Sequence, residues 1–206
     1  MPGATKPIEP AILERILHAI GEPPKQVYRP SDDTFLMLEA ISEFPFKGKE
    51  TLDMGTGSGI LGLFAAIHGA NVTMADIDES VVRYAASVAD SLGVNVKAIR
   101  SDLFSNIPGR FDVILFNPPY LPSTTSRDPV TDGGLSGSAV ADRFLRELPE
   151  HMNRNGSAFL LLSTQNDPSS LSRKHGKFSF TLVKRRPLFF EELQVFRLSF
   201  LERPSQ

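Results

Sequence analysis

The 206-residue chain contains no cysteine. Disulfides, thiolate metal centres and cysteine nucleophiles are therefore excluded. Histidine is scarce too. His18, His68, His151 and His175 are scattered with no pair four residues apart, so a zinc-hydrolase helix is not expected. No apolar run approaches the ~18 residues that a membrane span requires, and the polar opening MPGATKPIEP does not read as a signal peptide. These absences lead us to expect a cytoplasmic protein without metal and without a membrane partner.

What is present fits one globular domain with a real core: 41% hydrophobic and 22% charged residues. The net charge of −2 conceals an asymmetry. Residues 1–141 carry 11 Lys/Arg against 17 Asp/Glu, whereas residues 142–206 carry 11 against 7, including Lys184-Arg185-Arg186. Such a skew marks either a docking face for an anionic partner or an ordinary solvated surface.

Periodicity divides the chain into an N-terminal helix and connector, residues 1–27, and an α/β domain, residues 28–206. Ile8, Ile12, Leu13, Ile16, Leu17 and Ile20 recur at helical spacing until Gly21 and Pro23-Pro24. Asp33 is expected to cap a helix over residues 34–41. Short strands follow at 51–54, 72–75, 94–99 and 111–116, with helices over 60–67 and from Val81 to Leu92 between them. A further helix carries Val140, Phe144, Leu145 and Leu148, and Asn155-Gly156 turns into a strand over 158–162. Strands alternating with helices imply βαβ units and a mostly parallel sheet. The alternation of Phe178, Phe180 and Leu182, then of Phe196, Leu198 and Phe200, leaves no room for a helix and predicts an antiparallel hairpin at one sheet edge.

The segment Asp53-Met54-Gly55-Thr56-Gly57-Ser58-Gly59 joins a predicted strand to a predicted helix. Glycines there let a ligand approach the backbone closely. Asp53, two residues before the first glycine, would repel a pyrophosphate but suits the ammonium and sulfonium of S-adenosylmethionine (SAM). Asp76 ends the next strand, where a carboxylate can accept from both ribose hydroxyls. Asp102 follows the strand after that, where it could accept from an adenine amino group. Each aspartate alone could simply cap a helix; three at successive strand ends point to a nucleotide-like ligand.

The strand over 111–116 runs into Asn117-Pro118-Pro119-Tyr120. The two prolines remove backbone donors and leave carbonyl acceptors facing a cleft. The Asn117 side-chain oxygen and the Pro118 carbonyl can each accept one N–H of a planar NH₂ group, and Tyr120 can stack on it. A sulfonium donor is already activated, so no strong general base is required.

Together these residues resemble a class I SAM-dependent methyltransferase of the amino-methylating kind. Val27-Tyr28-Arg29-Pro30-Ser31-Asp32-Asp33-Thr34 is similar to the entry motif of the HemK-like glutamine methyltransferases, and most similar to their short archaeal and eukaryotic branch. That branch usually has Glu where Arg29 and Asp32 stand here. Gly133-Gly134-Leu135-Ser136-Gly137 and Asp142-Arg143-Phe144 resemble it again. The resemblance implies a Rossmann-like, seven-stranded, mostly parallel sheet. It also implies N5-methylation of the glutamine in the Gly-Gly-Gln loop of a class I translation release factor. Thr34 would help to enclose SAM, with Asp53, Gly55, Gly57, Gly59, Asp76, Asp102 and Asn117 binding it, while Asn117, Pro118 and Tyr120 serve the reaction. Members of the branch often work with a small zinc-binding activator subunit. An adenine-N6 methyltransferase acting on RNA or DNA uses the same tetrapeptide and is the alternative reading. A non-catalytic SAM-binding scaffold is a second one, and Asp53 disfavours a nicotinamide dehydrogenase.

Overall fold

The computed structural model describes residues 8–120 and 138–201. In chain order the elements are α1 (Pro10–Ile20), α2 (Asp32–Ile41), β1 (Glu50–Met54), α3 (Ile60–Ile67), β2 (Asn71–Asp76), α4 (Glu79–Leu92), β3 (Val96–Arg100) and β4 (Phe111–Phe116). There follow α5 (Ala139–His151), β5 (Met152–Ser163), a 3-10 turn (Thr164–Asn166), α6 (Pro168–Lys174), β6 (Phe178–Pro187) and β7 (Glu192–Phe200).

β1 is buried from Thr51 to Met54 without alternation, as a central parallel strand covered on both faces must be. It pairs in parallel with β2 on one side and β4 on the other. β2 then pairs with β3, and β4 with β5. β7 lies antiparallel between β5 and β6. The sheet order is β3-β2-β1-β4-β5-β7-β6, the seven-stranded, mostly parallel arrangement expected, with only β6 of the C-terminal hairpin at the edge.

Two apolar cores sandwich the sheet. One joins Leu38 of α2, Phe64 of α3 and Val88 of α4 to Val113 and Phe159; Ile16 and Ile20 of α1 belong to it. The other joins Leu52, Phe116 and Leu160 to Phe144 and Leu148 of α5. α4 buries six apolar side chains, Val81, Val82, Ala85, Val88, Ala89 and Leu92, and ends at Gly93, whose φ of 69° makes a left-handed cap.

Several boundaries differ from expectation. Ser31, not Asp33, occupies the N-cap of α2, and Asp33 is a buried residue of its first turn. Asn155-Gly156 falls inside β5 rather than before it, at a bulge where β5 advances from Met152 to Ser157 while β4 advances only from Phe111 to Val113. A register shift between Phe111 and Val113 packs backbone so tightly there that a Cβ on Gly156 would lie 2.9 Å from the Asn153 carbonyl and 3.1 Å from that of Asp112. β3 starts at Val96 rather than Val94. The 3-10 turn and α6 between β5 and β6 were not anticipated; both are short and mostly polar, so no apolar period announces them.

Candidate active site

Between β1 and β4 the order of parallel strands reverses, and the carboxyl ends of the strands open there onto a cavity of about 720 Å³. Such switch points are where open α/β sheets bind ligands. Thr34, Gly55, Gly57, Asp76, Asp102, Asn117, Pro118 and Tyr120 all line this one cavity. Asp53 and Gly59, singled out with them, do not; they support its floor.

The turn after β1 needs its glycines. Gly55, Gly57 and Gly59 have φ of 61°, 52° and 84°, all in the left-handed region. A Cβ on Gly55 would also sit 3.3 Å from the Phe116 ring. Asp53 is 1% exposed, and one of its oxygens accepts from the Thr56 hydroxyl at 2.6 Å and the Gly62 amide at 2.9 Å. Burial pushes its pKa up to about 7 against the pull of those donors. The carboxylate thus fastens the turn to the start of α3 from beneath.

Asp76 ends β2 facing the cavity. It accepts from the Gly57 amide at 3.2 Å and the Asp78 amide at 3.1 Å, while partial burial raises its pKa. Asp102 stands on the rim, half-exposed, and one oxygen is paired with Arg143 of α5 at 2.9 Å. That partner was not foreseen.

At the end of β4 the Asn117 amide nitrogen donates to Asp33 at 3.1 Å. The Asn117 carbonyl oxygen, Oδ1, is buried and accepts no hydrogen bond among the described residues. A buried acceptor left in this way is costly unless something else supplies the donor. Asp33, only 2% exposed, also accepts from the Tyr28 hydroxyl at 2.8 Å, the Thr34 amide at 2.6 Å and the Thr34 hydroxyl at 3.1 Å. With these donors in place its oxygens are engaged from several sides, so the amide nitrogen of Asn117 must face it and Oδ1 must face away. Sequence reasoning missed Asp33 and Tyr28 here. Their signal was the entry motif itself, in which Asp33 read as a helix cap.

Tyr120 closes the acceptor end. Its carbonyl accepts from the Asn166 side chain at 2.9 Å. Burial, then the Asp33 carboxylate, pushes its hydroxyl pKa well up, so the ring stays neutral. A planar NH₂ donor, a primary carboxamide or an adenine amine, would satisfy Oδ1 and lie against this ring.

Phe144 is core, and Asp142 lies outside the cavity, paired with Arg146, Lys174 and His175, each at 2.8 Å. The 133–137 glycines and the stretch 121–137 fall outside the described residues. The basic cluster is largely spoken for: Arg186 pairs with Asp32 at 3.2 Å and Glu39 at 2.6 Å, and Arg185 faces Glu192 at 3.8 Å. Among the described residues no cluster of metal-binding side chains occurs, and no helix is long and apolar enough to cross a membrane.

Residues 31–186 match the family model of the methyltransferase small domain. A protein of Methanocaldococcus jannaschii, provisionally named a protein N5-glutamine methyltransferase, is 35% identical over 181 residues, covering 82% of this chain and 90% of its own. The methyltransferase HEMK2 of Mus musculus is 29% identical over 163 residues, covering 71% and 76%. Among solved structures, the E. cuniculi Mtq2–Trm112 complex, described as responsible for methylating the termination factor eRF1, superposes with a TM-score of 0.71. It is 23% identical and covers 85% of this chain and 99% of the other, a likeness of fold. The family match spans most of the chain, so the protein belongs to the methyltransferase small domain family and is a SAM-dependent methyltransferase.

Proposed function

We propose that this chain is a protein-glutamine N5-methyltransferase and that its acceptor is the glutamine of the Gly-Gly-Gln loop of a class I translation release factor. The observation that carries this reading is the buried, unpartnered Asn117 Oδ1, turned away from Asp33 beside Pro118 and Tyr120. The names of the archaeal and mouse relatives and of the Mtq2 complex support it.

The residues fit the cofactor. The backbone of the Gly55–Gly57 turn lets it approach, Asp76 would accept from the ribose hydroxyls, and Asp102 would accept from the adenine amine with its unpaired oxygen. Thr34 would enclose its amino-acid end. Asp53 would act through the turn that it braces. When bound, SAM supplies a methyl group already activated on a sulfonium.

The protein's own task is to hold the acceptor nitrogen. Asn117 Oδ1 and the Pro118 carbonyl each accept one N–H of the amide, fixing the NH₂ plane, and Tyr120 covers its face. Proximity and fixed orientation are the main contributions such a site makes, since the departing proton leaves a cationic nitrogen readily. Flanking glycines on the substrate let its backbone enter a narrow cleft. The Mtq2 structure is a complex with Trm112, which supports a partner subunit for this chain as well.

Adenine in RNA or DNA is the competing acceptor. The pairing of Arg185 and Arg186 with carboxylates of this chain disfavours a phosphate backbone nearby. Offering labelled SAM with a release factor, bulk RNA and DNA side by side tests the choice. We expect label in the factor, with kcat/KM falling only several-fold between about 50 and 200 mM salt. Label in nucleic acid with a loss of ~10³-fold or more over that range would reverse the assignment.

A further inference from the structure

Two large apolar side chains stand in water at the acceptor end of the cleft. Phe189 and Phe190 are 91% and 85% exposed, with rings edge to face and centroids 4.6 Å apart. No other large hydrophobic side chain among the described residues exceeds the 61% of Ile77. An aromatic pair presented so fully to solvent marks an interaction site more often than a folding need.

Both residues form the tip of the β6–β7 hairpin, between Pro187 and Glu192. β7 runs antiparallel to β5 with Leu193 beside Ser163, so the tip emerges at the carboxyl end of the sheet, where the cleft opens. It is firmly mounted. The Leu188 amide donates to the Glu191 carbonyl at 2.7 Å, the Glu192 amide to the Thr164 hydroxyl at 3.0 Å, and the Ser163 hydroxyl to the Glu191 carboxylate. The same 163–166 segment holds Tyr120, because Asn166 accepts from the Ser163 amide at 2.8 Å and donates to the Tyr120 carbonyl at 2.9 Å. The aromatic tip and the acceptor platform are therefore parts of one rigid frame.

We infer that Phe189 and Phe190 are an aromatic anchor for the folded body of the protein substrate, seating in an apolar depression beside the loop that carries the acceptor amide. The inference rests on the protein-substrate reading above. A single carboxamide in a narrow cleft offers few contacts, so affinity for a macromolecule has to come from the rim. Rigid aromatic side chains supply large contact area at small entropic cost, and such residues dominate binding energy at interfaces. Around the tip the Arg185–Glu192 and Arg186–Asp32/Glu39 pairs make a polar border of nearly balanced charge. An apolar centre inside a polar rim is the anatomy of a protein interface. It does not suit a phosphate backbone.

The test is the double substitution Phe189→Ala with Phe190→Ala. Methyl transfer is measured to the intact release factor and to a short peptide containing Gly-Gly-Gln. Both side chains are exposed, so the variant should fold normally. The expected result is a fall of about ten-fold or more in kcat/KM for the factor, carried by KM. Transfer to the peptide and the SAM dissociation constant should stay within about two-fold of wild type. An equal loss on factor and peptide, or no loss on either, overturns the anchor while leaving the acceptor reading intact. So does a wild-type dimer that becomes monomeric in the variant, since the tip would then serve a second copy of this chain. A wild-type enzyme that methylates neither acceptor removes the protein-substrate reading and the anchor with it.

Discussion

The Asp33 carboxylate, buried in the first turn of α2, accepts a 3.1 Å hydrogen bond from the Asn117 side chain at the end of β4 and so decides which way that amide faces. Eighty-four positions separate the two residues in the chain. If Asp33 sets the orientation, Asp33→Asn should be damaging although its shape is unchanged. An amide has one acceptor oxygen where the carboxylate has two, and it brings a donor to face the donors of Tyr28, Thr34 and Asn117. We expect kcat to fall by about 100-fold and stability to drop by about 1–3 kcal/mol from the mismatched buried donors, with SAM affinity near wild type. Tyr28→Phe, which removes one donor, should cost only a few-fold. Single-turnover rates and calorimetry check both; a kcat for Asp33→Asn within about two-fold of wild type would refute the orienting role.

Asn117→Ala removes the acceptor itself. Turnover should drop by roughly 3–4 kcal/mol of transition-state stabilisation, while SAM binding stays within a few-fold. Retention of more than about a tenth of the rate at saturating substrate would place the reacting nitrogen elsewhere.

Asp76→Ala should act on binding. Its carboxylate faces the cavity from the end of β2, where we propose that it accepts from the two ribose hydroxyls. Losing both charge-assisted bonds should weaken SAM by ~1.5–3 kcal/mol, or about 10–150-fold in dissociation constant. Titration calorimetry showing unchanged affinity would contradict the ribose assignment.

Asp53 gives a pH signature. Burial raises its pKa from the ordinary 3.8 to about 7, so the folded state holds the proton more tightly than the unfolded chain. The stability associated with the neutral carboxyl is present below the ordinary value and is lost as pH rises toward and through about 7. Asp53→Asn keeps an oxygen for Thr56 and Gly62 without an ionisable group. Denaturant unfolding at several pH values should show a flatter profile for the variant over this window, and at least wild-type stability above it. A variant whose profile keeps the wild-type slope would assign that slope to other groups.

The fold was legible where local pattern and tertiary role agree. The six apolar residues of α4, the apolar run Val113–Phe116 in β4, and the alternation of Phe196, Leu198 and Phe200 each announced an element that formed. It was obscured where long-range packing overrode local preference. Asn155-Gly156 has turn chemistry, yet it is absorbed into a bulge of β5 where the packing against β4 leaves no room for a Cβ. The cavity-lining aspartates and the Asn117 tetrapeptide could be found from their place at strand ends. Asp33 was missed as a partner of Asn117: the entry motif marks its segment, but a helix-start carboxylate reads locally as a cap, not as the acceptor for a side chain from a distant strand. The Arg143 pairing with Asp102 and the carboxylate partners of Arg185 and Arg186 were hidden for the same reason.

The central claim is that the Asn117 site receives a glutamine carboxamide of a protein. Fragment mass spectrometry of a class I release factor after incubation with this enzyme and SAM tests it most directly. The account predicts a single methyl group on the side-chain nitrogen of the Gly-Gly-Gln glutamine. That methyl should be absent with Asn117→Ala enzyme and absent when the glutamine is changed to glutamate. Methylation at another residue, persistence of the label on the glutamate factor, or label found only on adenine in nucleic acid would contradict it.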